Sequence, residues 1–331
     1  MVSTTSRVKQ LFALCALALG AAAAVPGAAS AQAQPWRPAK PVTVVVPYAP
    51  GGGTDTVARA VSRQLALIWQ QPVIVENIPG ADGLIGTRRV MDAAPDGSSL
   101  LLQVPSIALT RYTPGLRGID PLQRLLPVTA IAQASNAIVV SAKMPVKTVA
   151  EFVAYCGRAA QRCALGTTDN QSRLMSNQFV AEAKLADAVV VNYRGTSAVV
   201  ADLVANNVNM SFTGIAAALP HARAGTLRFL ATTGDRRAAV LPEVPTAQEA
   251  GFGAFRSVNW FGVFAPAGLP AHVAHAIAAA LREAVQDPDV QRTIAAAGAE
   301  PVVNTPAEFA AQVRQESARL GSLVQRYPLE P

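Results

Sequence analysis

Short apolar runs alternate with longer amphipathic segments along most of the chain. The β-branched run Val42–Pro47, bounded by prolines, predicts a buried strand. A glycine-rich loop follows it, ending at Gly53. Apolar residues then recur at the spacing of a helix, at Val57, Val61, Leu65 and Ile68. This stretch therefore predicts a strand, a loop and a helix in direct succession.

The same alternation repeats downstream. We predict further strands at 71–76, 99–104, 137–141, 164–166, 188–193, 208–212 and 260–264. Helices are predicted between them, with capping boxes at Thr148–Glu151, Thr246–Glu249 and Thr305–Glu308 and a proline-initiated start at Asp287–Pro288. Alternating strands and helices indicate an α/β protein whose parallel sheets carry helices on both faces.

The order of these elements predicts two α/β lobes, with the second inserted into the first. Strands near Ala137–Ser141 and Val258–Phe264 would connect them. We place the first lobe at 34–136 plus 256–331, the second lobe at 137–255, and an N-terminal leader at 1–33. A ligand cleft lies naturally between two such lobes.

The loop Tyr48–Gly53 is the strongest candidate for binding. Glycines let a backbone approach a bound group closely, and the following helix offers free N–H groups to an anion. Thr54 or Asp55 is predicted to cap that helix. The loop lacks the signatures of nucleoside-triphosphate and dinucleotide sites. The alternative is that the glycines serve only to turn the chain from strand to helix.

The N-terminus has the pattern of a secretory signal peptide. Arg7 and Lys9 precede the apolar run 11–25, and small residues suit cleavage after Ala31 or Ala33. Cys15 lies within this segment without the small residue that a lipoprotein site needs before it, so lipidation is not expected. Since no later run is long and apolar enough to span a bilayer, we expect an exported, soluble, periplasmic protein.

Charge and cysteine content indicate which ligands and which cysteine chemistry to expect. The chain has 28 basic and 21 acidic residues, and removal of the leader takes away two of the basic ones. The remaining excess is scattered, so nucleic-acid binding is not expected, and anionic solutes are favoured only weakly. Because exported proteins meet an oxidising compartment, Cys156 and Cys163 are predicted to form a disulfide rather than a zinc site.

No arrangement of residues predicts catalysis, and no cofactor or metal is expected. The chain lacks a nucleophile elbow and a His-Glu-x-x-His motif. His221, His272 and His275 are interpreted as residues of helix surfaces, and Asp169 as a turn or cap residue. Arg194 has two open interpretations, a partner for a ligand carboxylate or a residue facing solvent.

Six stretches resemble the Bug, or tripartite tricarboxylate transporter, family of periplasmic receptors. They cover nearly the whole chain after the leader, in order. The stretches are Val45–Asp55, Val75–Gly86, Ala94–Gly97, Val191–Gly195, Leu241–Gly251 and Trp260–Pro266. The resemblance implies a two-lobe, type II periplasmic-binding-protein (Venus flytrap) fold, with two crossing strands as the hinge. It also implies a small carboxylate as ligand, such as a di- or tricarboxylate or an aromatic acid.

The resemblance also implies the residues of the site. In the first lobe these are Tyr48, Pro50, Gly51, Gly52, Thr54, Asp55, Gly83 and Ser106. In the second lobe they are Thr167, Thr168, Gln171, Ser172, Tyr193, Arg194, Gly195, Thr196 and Thr213. The family often has an acid at the position of Thr213, lysine at that of Arg194 and glycine at that of Asp82. Without an acid at Thr213, we expect a plain carboxylate rather than an amino acid.

The resemblance implies the membrane subunits of a tripartite tricarboxylate-type transporter as partners of a monomeric receptor. The alternative is a sensor kinase that reads the same binding event. A rival from another class is an exported α/β hydrolase, which would need an activated nucleophile at Ser106 or Ser172.

Overall fold

The computed structural model describes residues 36–116, 118–158, 162–193, 195–253 and 255–329. The predicted leader and Arg194 lie outside the described residues. The strands are β1 (Val42–Val46), β2 (Val73–Asn77), β3 (Ser99–Gln103), β4 (Leu125–Ser141), β5 (Ala164–Thr167), β6 (Val189–Asn192), β7 (Met210–Gly214), β8 (Leu227–Thr232), β9 (Val258–Pro266) and β10 (Ala299–Pro301).

Nine α-helices lie within the described part of the chain. They are α1 (Gly53–Trp69), α2 (Leu84–Met91), α3 (Val149–Cys156), α4 (Asn170–Glu182), α5 (Thr196–Ala205), α6 (Ile215–Arg223), α7 (Ala271–Gln286), α8 (Pro288–Ala296) and α9 (Pro306–Arg326). Short 3₁₀ helices span Ala81–Gly83, Pro105–Tyr112 and Pro121–Gln123.

Two α/β lobes are built on two sheets that share β4. The first sheet has the order β2-β1-β3-β9-β4-β10, and the second has the order β6-β5-β7-β4-β8. Within the first sheet, β1 pairs in parallel with β2 and β3, and within the second, β5 pairs in parallel with β6 and β7. The carboxyl ends of these parallel strands therefore carry the loops in which the sequence predicted the site.

Each lobe has its own core, formed as the apolar patterns predict. In the first lobe, α1, α7 and α8 cover one face of the sheet with residues such as Val57, Leu65 and Ile277. The other face packs Trp260 and Phe264 against Phe309 of α9. In the second lobe, α3 and α4 bury aromatic residues against one face, while α5 and α6 cover the other. Both sheets are thus covered on both faces.

The connection between the lobes differs in detail from the prediction. The predicted strand 137–141 is only the carboxyl end of β4, which has 17 residues and belongs to both sheets. The β9 strand belongs to the first sheet, and the residues before it make the second crossing. There the Ser257 amide donates to the Thr233 carbonyl, which follows β8. A continuous β4 was missed because Pro127 interrupts its apolar pattern and shifts its register.

Other local predictions were also wrong or incomplete. Thr246 and Glu249 form the reciprocal bonds of a capping box, but the segment is a turn and not a helix. The strands β8 and β10 and the 3₁₀ helix Pro105–Tyr112 were not predicted. The capping box at Thr305 and the helix starts at Thr148 and Asp287 are confirmed.

The predicted disulfide is present between Cys156 and Cys163, at the end of α3 and just before β5. Both cysteines are buried in the core of the second lobe. Among the described helices, none combines the length and apolarity that a bilayer crossing requires.

Candidate functional site

An aspartate in the first turn of α1 stabilises the loop after β1 through a hydrogen bond to its backbone. The N-cap of α1 is Gly52, so the predicted capping by Thr54 or Asp55 is wrong. Asp55 lies three residues beyond the cap, and its Oδ2 accepts a hydrogen bond from the Gly51 amide at 2.9 Å. Because the helix begins at Gly53, the amides of its first turn have no intrahelical partner.

Asp55 is the centre of a buried polar network. Its carboxylate accepts from Arg59 Nε at 3.1 Å and from Asn77 Nδ2 at 3.0 Å. Burial raises the pKa of Asp55, but the hydrogen bonds from Arg59, Gly51 and Asn77 outweigh that effect and lower the pKa below its ordinary value. Asp55 is therefore an ionised structural support of the loop and not a general base.

Tyr48 connects the loop to the end of β3. Its hydroxyl donates to Gln103 Oε1, and it lies 2.9 Å from the Ser106 hydroxyl. Burial is the main cause that raises the Tyr48 pKa, with nearby Asp82 next in size, so the phenol stays neutral. Ser106 is buried within the 3₁₀ helix Pro105–Tyr112. In this structure its hydroxyl faces a phenol and no imidazole, which gives a hydrolytic nucleophile no base.

Gly83, at the end of the loop that follows β2, and Gly86, in the first turn of α2, allow the chain to pack closely against its neighbours. Gly83 has φ of +85°, and a Cβ there would lie 3.3 Å from Gln103 Nε2. At Gly86 a Cβ would lie 2.7 Å from the Ile78 carbonyl oxygen. By contrast, a Cβ at Gly53 would have no neighbour within 4 Å, and one at Gly52 would meet only the Ala49 carbonyl oxygen, at 3.9 Å. The open, exposed backbone is therefore at Gly52 and Gly53.

The second lobe presents the start of α4. Asp169 caps this helix, accepting from the Ser172 amide at 2.7 Å, and the Ser172 hydroxyl accepts from the Thr168 and Asp169 amides. The assignment of Asp169 as a cap is thereby confirmed. The Gln171 side chain turns towards the crossing segment, where its Nε2 donates to Ser257 Oγ at 3.1 Å.

The remaining predicted residues of the second lobe lie at the ends of β5, β6 and β7. Thr167 is buried and donates to the Val191 carbonyl, and Thr213 is buried within β7. The Tyr193 hydroxyl donates to Asp202 Oδ2 at 2.6 Å; burial and this bond raise the pKa of Tyr193 to about 12. Gly195 caps α5, and Thr196 is its first residue. These ends share one edge of the second sheet.

Sequence reasoning missed several polar residues that organise the site. Gln103 and Asn77 each end a strand, and Asn170 reaches the first lobe from α4. Gln103 directly follows three leucines of an apolar strand, so its amide could be expected to be buried there. Because buried amides need hydrogen-bond partners, this position was the sequence signal for a polar role. Asn170 carried no such signal, because its partners are 88 and 57 residues away in the chain.

A cavity of about 420 Å³ lies away from these loops. It is lined by 133–135, 234–240 and 298–301 together with Trp260 and α9 residues, and contains none of the predicted site residues. Its four arginines are already paired with carboxylates: Arg236 with Glu300, Arg237 with Glu249, Arg256 with Asp235 and Arg319 with Glu316. Within the described ranges, no cluster of His, Cys, Asp and Glu side chains is arranged to hold a metal ion.

Comparison with known proteins shows the family of the chain. The family described as "Tripartite tricarboxylate transporter family receptor" matches residues 57–329. Protein BugT of Bordetella pertussis is 32% identical over 296 residues, which cover 87% of this chain and 89% of BugT.

Two solved structures show the same fold. MatC from Rhodopseudomonas palustris with bound malate is 30% identical, with a TM-score of 0.77 over 87% of this chain and 99% of that one. R. palustris Rpa4515 with adipate is 27% identical, with a TM-score of 0.79 over 87% of this chain and 97% of that one. The chain belongs to the tripartite tricarboxylate transporter receptor family of Bug-type periplasmic solute-binding proteins.

Proposed function

We propose that this protein binds a small carboxylate between its two lobes, with the start of α1 as the principal anion site. The observation that carries the proposal is the exposed Gly52–Gly53 backbone at the N-terminus of a 17-residue helix. Unpaired amides and the positive end of the helix dipole favour a negative charge there. The malate and adipate bound by the two similar structures are both dicarboxylates, which supports this ligand class.

The two lobes would supply different parts of the site. We propose that the first lobe comprises 34–136 and 256–331, the second 137–255, and that β4 and the segment before β9 act as the hinge. Amides beside Tyr48 and Gly83 would face the ligand from one side, and the ends of β5, β6 and β7 from the other. The residues predicted from the family resemblance, Arg194 among them, remain the proposed lining of the site, with Asp55 and the Gly51 amide supporting the loop rather than contacting the ligand. Charge-assisted hydrogen bonds from amides are strong where closure excludes water.

The receptor would deliver its ligand to the membrane subunits of a tripartite tricarboxylate-type transporter. Such a route requires export, and residues 1–33 would be the cleaved signal peptide. N-terminal sequencing of the protein from a periplasmic fraction tests this, with cleavage after Ala31 or Ala33 expected. Retention of residues 1–33 would contradict it. A sensor kinase as partner is the second candidate, and copurification with membrane subunits separates the two.

The anion site is tested by a side chain placed on the open backbone. Gly53 begins α1 and has nothing within 4 Å of a Cβ, so Gly53→Leu should fold normally and project into the proposed site. We expect calorimetric titration with malate and with adipate to show binding to the wild type and at least about a tenfold loss in the variant. Ala271→Leu is the matched control, because Ala271 is the exposed first residue of α7. Equal affinity in both variants would overturn the assignment.

The ligand class is tested in the same titration. We expect malate or adipate to bind more tightly than aspartate or glutamate, because Thr213 offers no negative charge to an ammonium group. Tightest binding by an amino acid would contradict this part of the proposal.

A further inference from the structure

The cavity of about 420 Å³ lies at the junction of the two lobes, and its walls come from both. One wall is the loop 234–240, which follows β8 of the second lobe. The other walls are the β4 segment 133–135, the segment 298–301 that contains β10, and one face of α9, all in the first lobe. Small-molecule pockets have volumes of about 300–1,000 Å³. The cavity therefore has room for a compound that contacts both lobes.

Two ion pairs in the wall connect the second lobe to the rest of the chain. Arg236 is paired with Glu300 of β10, and Asp235 is paired with Arg256, which lies just before β9. All four side chains are substantially exposed. Because exposed ion pairs contribute little to stability, these arginines can turn towards a bound anion at small cost.

The arginines of the wall have more donors than their present bonds use. A guanidinium group has five N–H donors. Arg256 donates to Asp235 from Nε and Nη2. Arg237 donates to Glu249 from Nε and to the Pro242 carbonyl from Nη1. Each of these guanidinium groups therefore keeps donors for a further acceptor.

The lining of the cavity has an excess of one positive charge. Four arginines line it, against three carboxylates, which belong to Asp235, Glu300 and Glu316. The imbalance arises because Glu249, the partner of Arg237, is not part of the lining. The charges of the wall therefore favour an anion over a cation.

Trp260 adds an unmatched donor to this wall. It lines the cavity, and its Nε1 is buried without an acceptor among the described residues. A Cβ at Gly262 would lie 2.9 Å from Cε3 and Cζ3 of the ring. Nε1 is on the opposite edge of the indole, towards Val258, which also lines the cavity. Because buried polar groups are normally hydrogen-bonded, this N–H marks a place for an acceptor.

Apolar side chains complete the wall. Val258, Ala238 and Pro301 line the cavity together with the Trp260 ring. An inorganic anion would leave this surface in contact with water, whereas the hydrocarbon part of an organic acid would cover it. Covering apolar surface is favourable in proportion to its area. The wall therefore suits an anion that also has an apolar body.

We infer that this cavity is a second binding site, for a small organic acid with one acid group and an apolar body. The carboxylate oxygens accept from the arginines of the wall and from the Trp260 N–H, and the apolar body lies against Val258 and Pro301. The site shares no residue with the proposed anion site at α1 and goes beyond the proposed function.

Occupation of the cavity should also act on the lobes. They are in contact in this structure, since Asn170 of α4 donates to Asp82 of the first lobe at 2.6 Å. A ligand that fits a cavity formed in this arrangement stabilises it against a separated one. If malate closes the lobes as proposed, the two ligands raise each other's affinity by the same factor. Only this consequence rests on the proposed function.

Calorimetric titration with phenylacetate tests the site, with the uncharged phenylacetamide as the control ligand. We expect the wild type to bind phenylacetate at least about tenfold more tightly than the amide. Trp260→Phe keeps an aromatic ring and removes the N–H. Ala239→Trp fills the cavity from an exposed position of its wall and remains informative if Trp260→Phe folds poorly. Each variant should lose at least about tenfold in phenylacetate affinity.

Two matched variants locate the binding. Ala224→Trp places the same side chain on an exposed residue of the second lobe that does not line the cavity. Gly53→Leu obstructs the proposed anion site at α1. Both should bind phenylacetate as the wild type does. The inference is overturned if the wild type does not bind phenylacetate, if Ala239→Trp and Ala224→Trp bind it equally, or if Gly53→Leu loses it. Unchanged affinity in a folded Trp260→Phe would overturn the role of the indole N–H.

Titration of malate with and without saturating phenylacetate tests the coupling. We expect malate affinity to rise about fivefold or more when phenylacetate is bound, and to be unaffected by phenylacetate in Ala239→Trp. Unchanged malate affinity in the wild type would overturn the coupling. If malate binds under neither condition, the proposed function fails, and the phenylacetate titrations still decide whether the cavity is a site.

Discussion

The Asp55 carboxylate accepts a hydrogen bond from the backbone amide of Gly51, with Oδ2 2.9 Å from the glycine nitrogen. A carboxylate of the chain itself thus binds one of the three loop glycines. The amides left for an external anion are those of Gly52 and the first turn of α1. Asp55 therefore supports the loop from behind, and its own charge is offset by Arg59.

Replacing the carboxylate of Asp55 should lower the free energy of unfolding, because the loop after β1 loses its hydrogen bond to Asp55. Asp55→Asn keeps the shape but loses the charge-assisted bonds from Gly51 and Arg59. We expect a loss of about 1.5–3 kcal/mol in the free energy of unfolding, measured in urea. Asp289→Asn, at an exposed i,i+3 ion pair with Arg292, should lose less than about 0.5 kcal/mol. Equal losses in the two variants would show that the Asp55 network contributes no more than a surface pair.

The same carboxylate should set part of the acid limit of stability. The pKa of Asp55 is lowered in the folded protein, so its contribution is present above the unfolded pKa of about 3.9. It is lost as the pH falls through the lower, folded pKa. The stability difference between wild type and Asp55→Asn should therefore shrink below about pH 4. A difference that grows on acidification would contradict the assigned direction of the shift.

Gly262 is required where β9 passes under an aromatic cluster. A Cβ at this position would lie 2.3 Å from Phe309 Cζ and 2.9 Å from the Trp260 ring. These rings are buried, so Gly262→Ala should cost about 1–3 kcal/mol by overpacking. Gly53→Ala, with nothing within 4 Å, is the matched control and should be neutral or slightly stabilising. Denaturant unfolding of the two variants measures this difference. An unchanged free energy of unfolding for Gly262→Ala would mean that the aromatic cluster can shift to make room.

The disulfide should stabilise the second lobe. Cys156 and Cys163 are separated by seven positions, so the chain-entropy model gives about 2–3 kcal/mol for the bridge. We expect a Cys156→Ala, Cys163→Ala double variant to unfold at lower urea concentration than the oxidised wild type. Dithiothreitol should lower the wild-type midpoint and leave that of the double variant unchanged. A wild type insensitive to reduction would indicate that the bridge constrains little.

The sequence by itself determined the local elements and the presence of two α/β units. Strand β1, helix α1 and the capped starts of α3, α8 and α9 follow from hydrophobic periodicity and capping residues, which act over a few positions. The disulfide pair also followed, because only two cysteines remain once the predicted leader is set aside. The glycine loop could be identified as a binding candidate because glycines let a backbone approach a bound group closely, but the sequence left open whether they serve only to turn the chain.

Only the tertiary structure decided how these parts use their polar groups. The occupation of the Gly51 amide by Asp55, the continuity of β4 through both sheets and the reach of Asn170 to Asp82 all depend on residues brought together by folding. Hydrogen bonds and electrostatic fields act through space, and partners 88 positions apart leave no periodic trace in the chain. The sequence therefore supplies the donors and acceptors, and the packing of the lobes decides which of them remain available to a ligand.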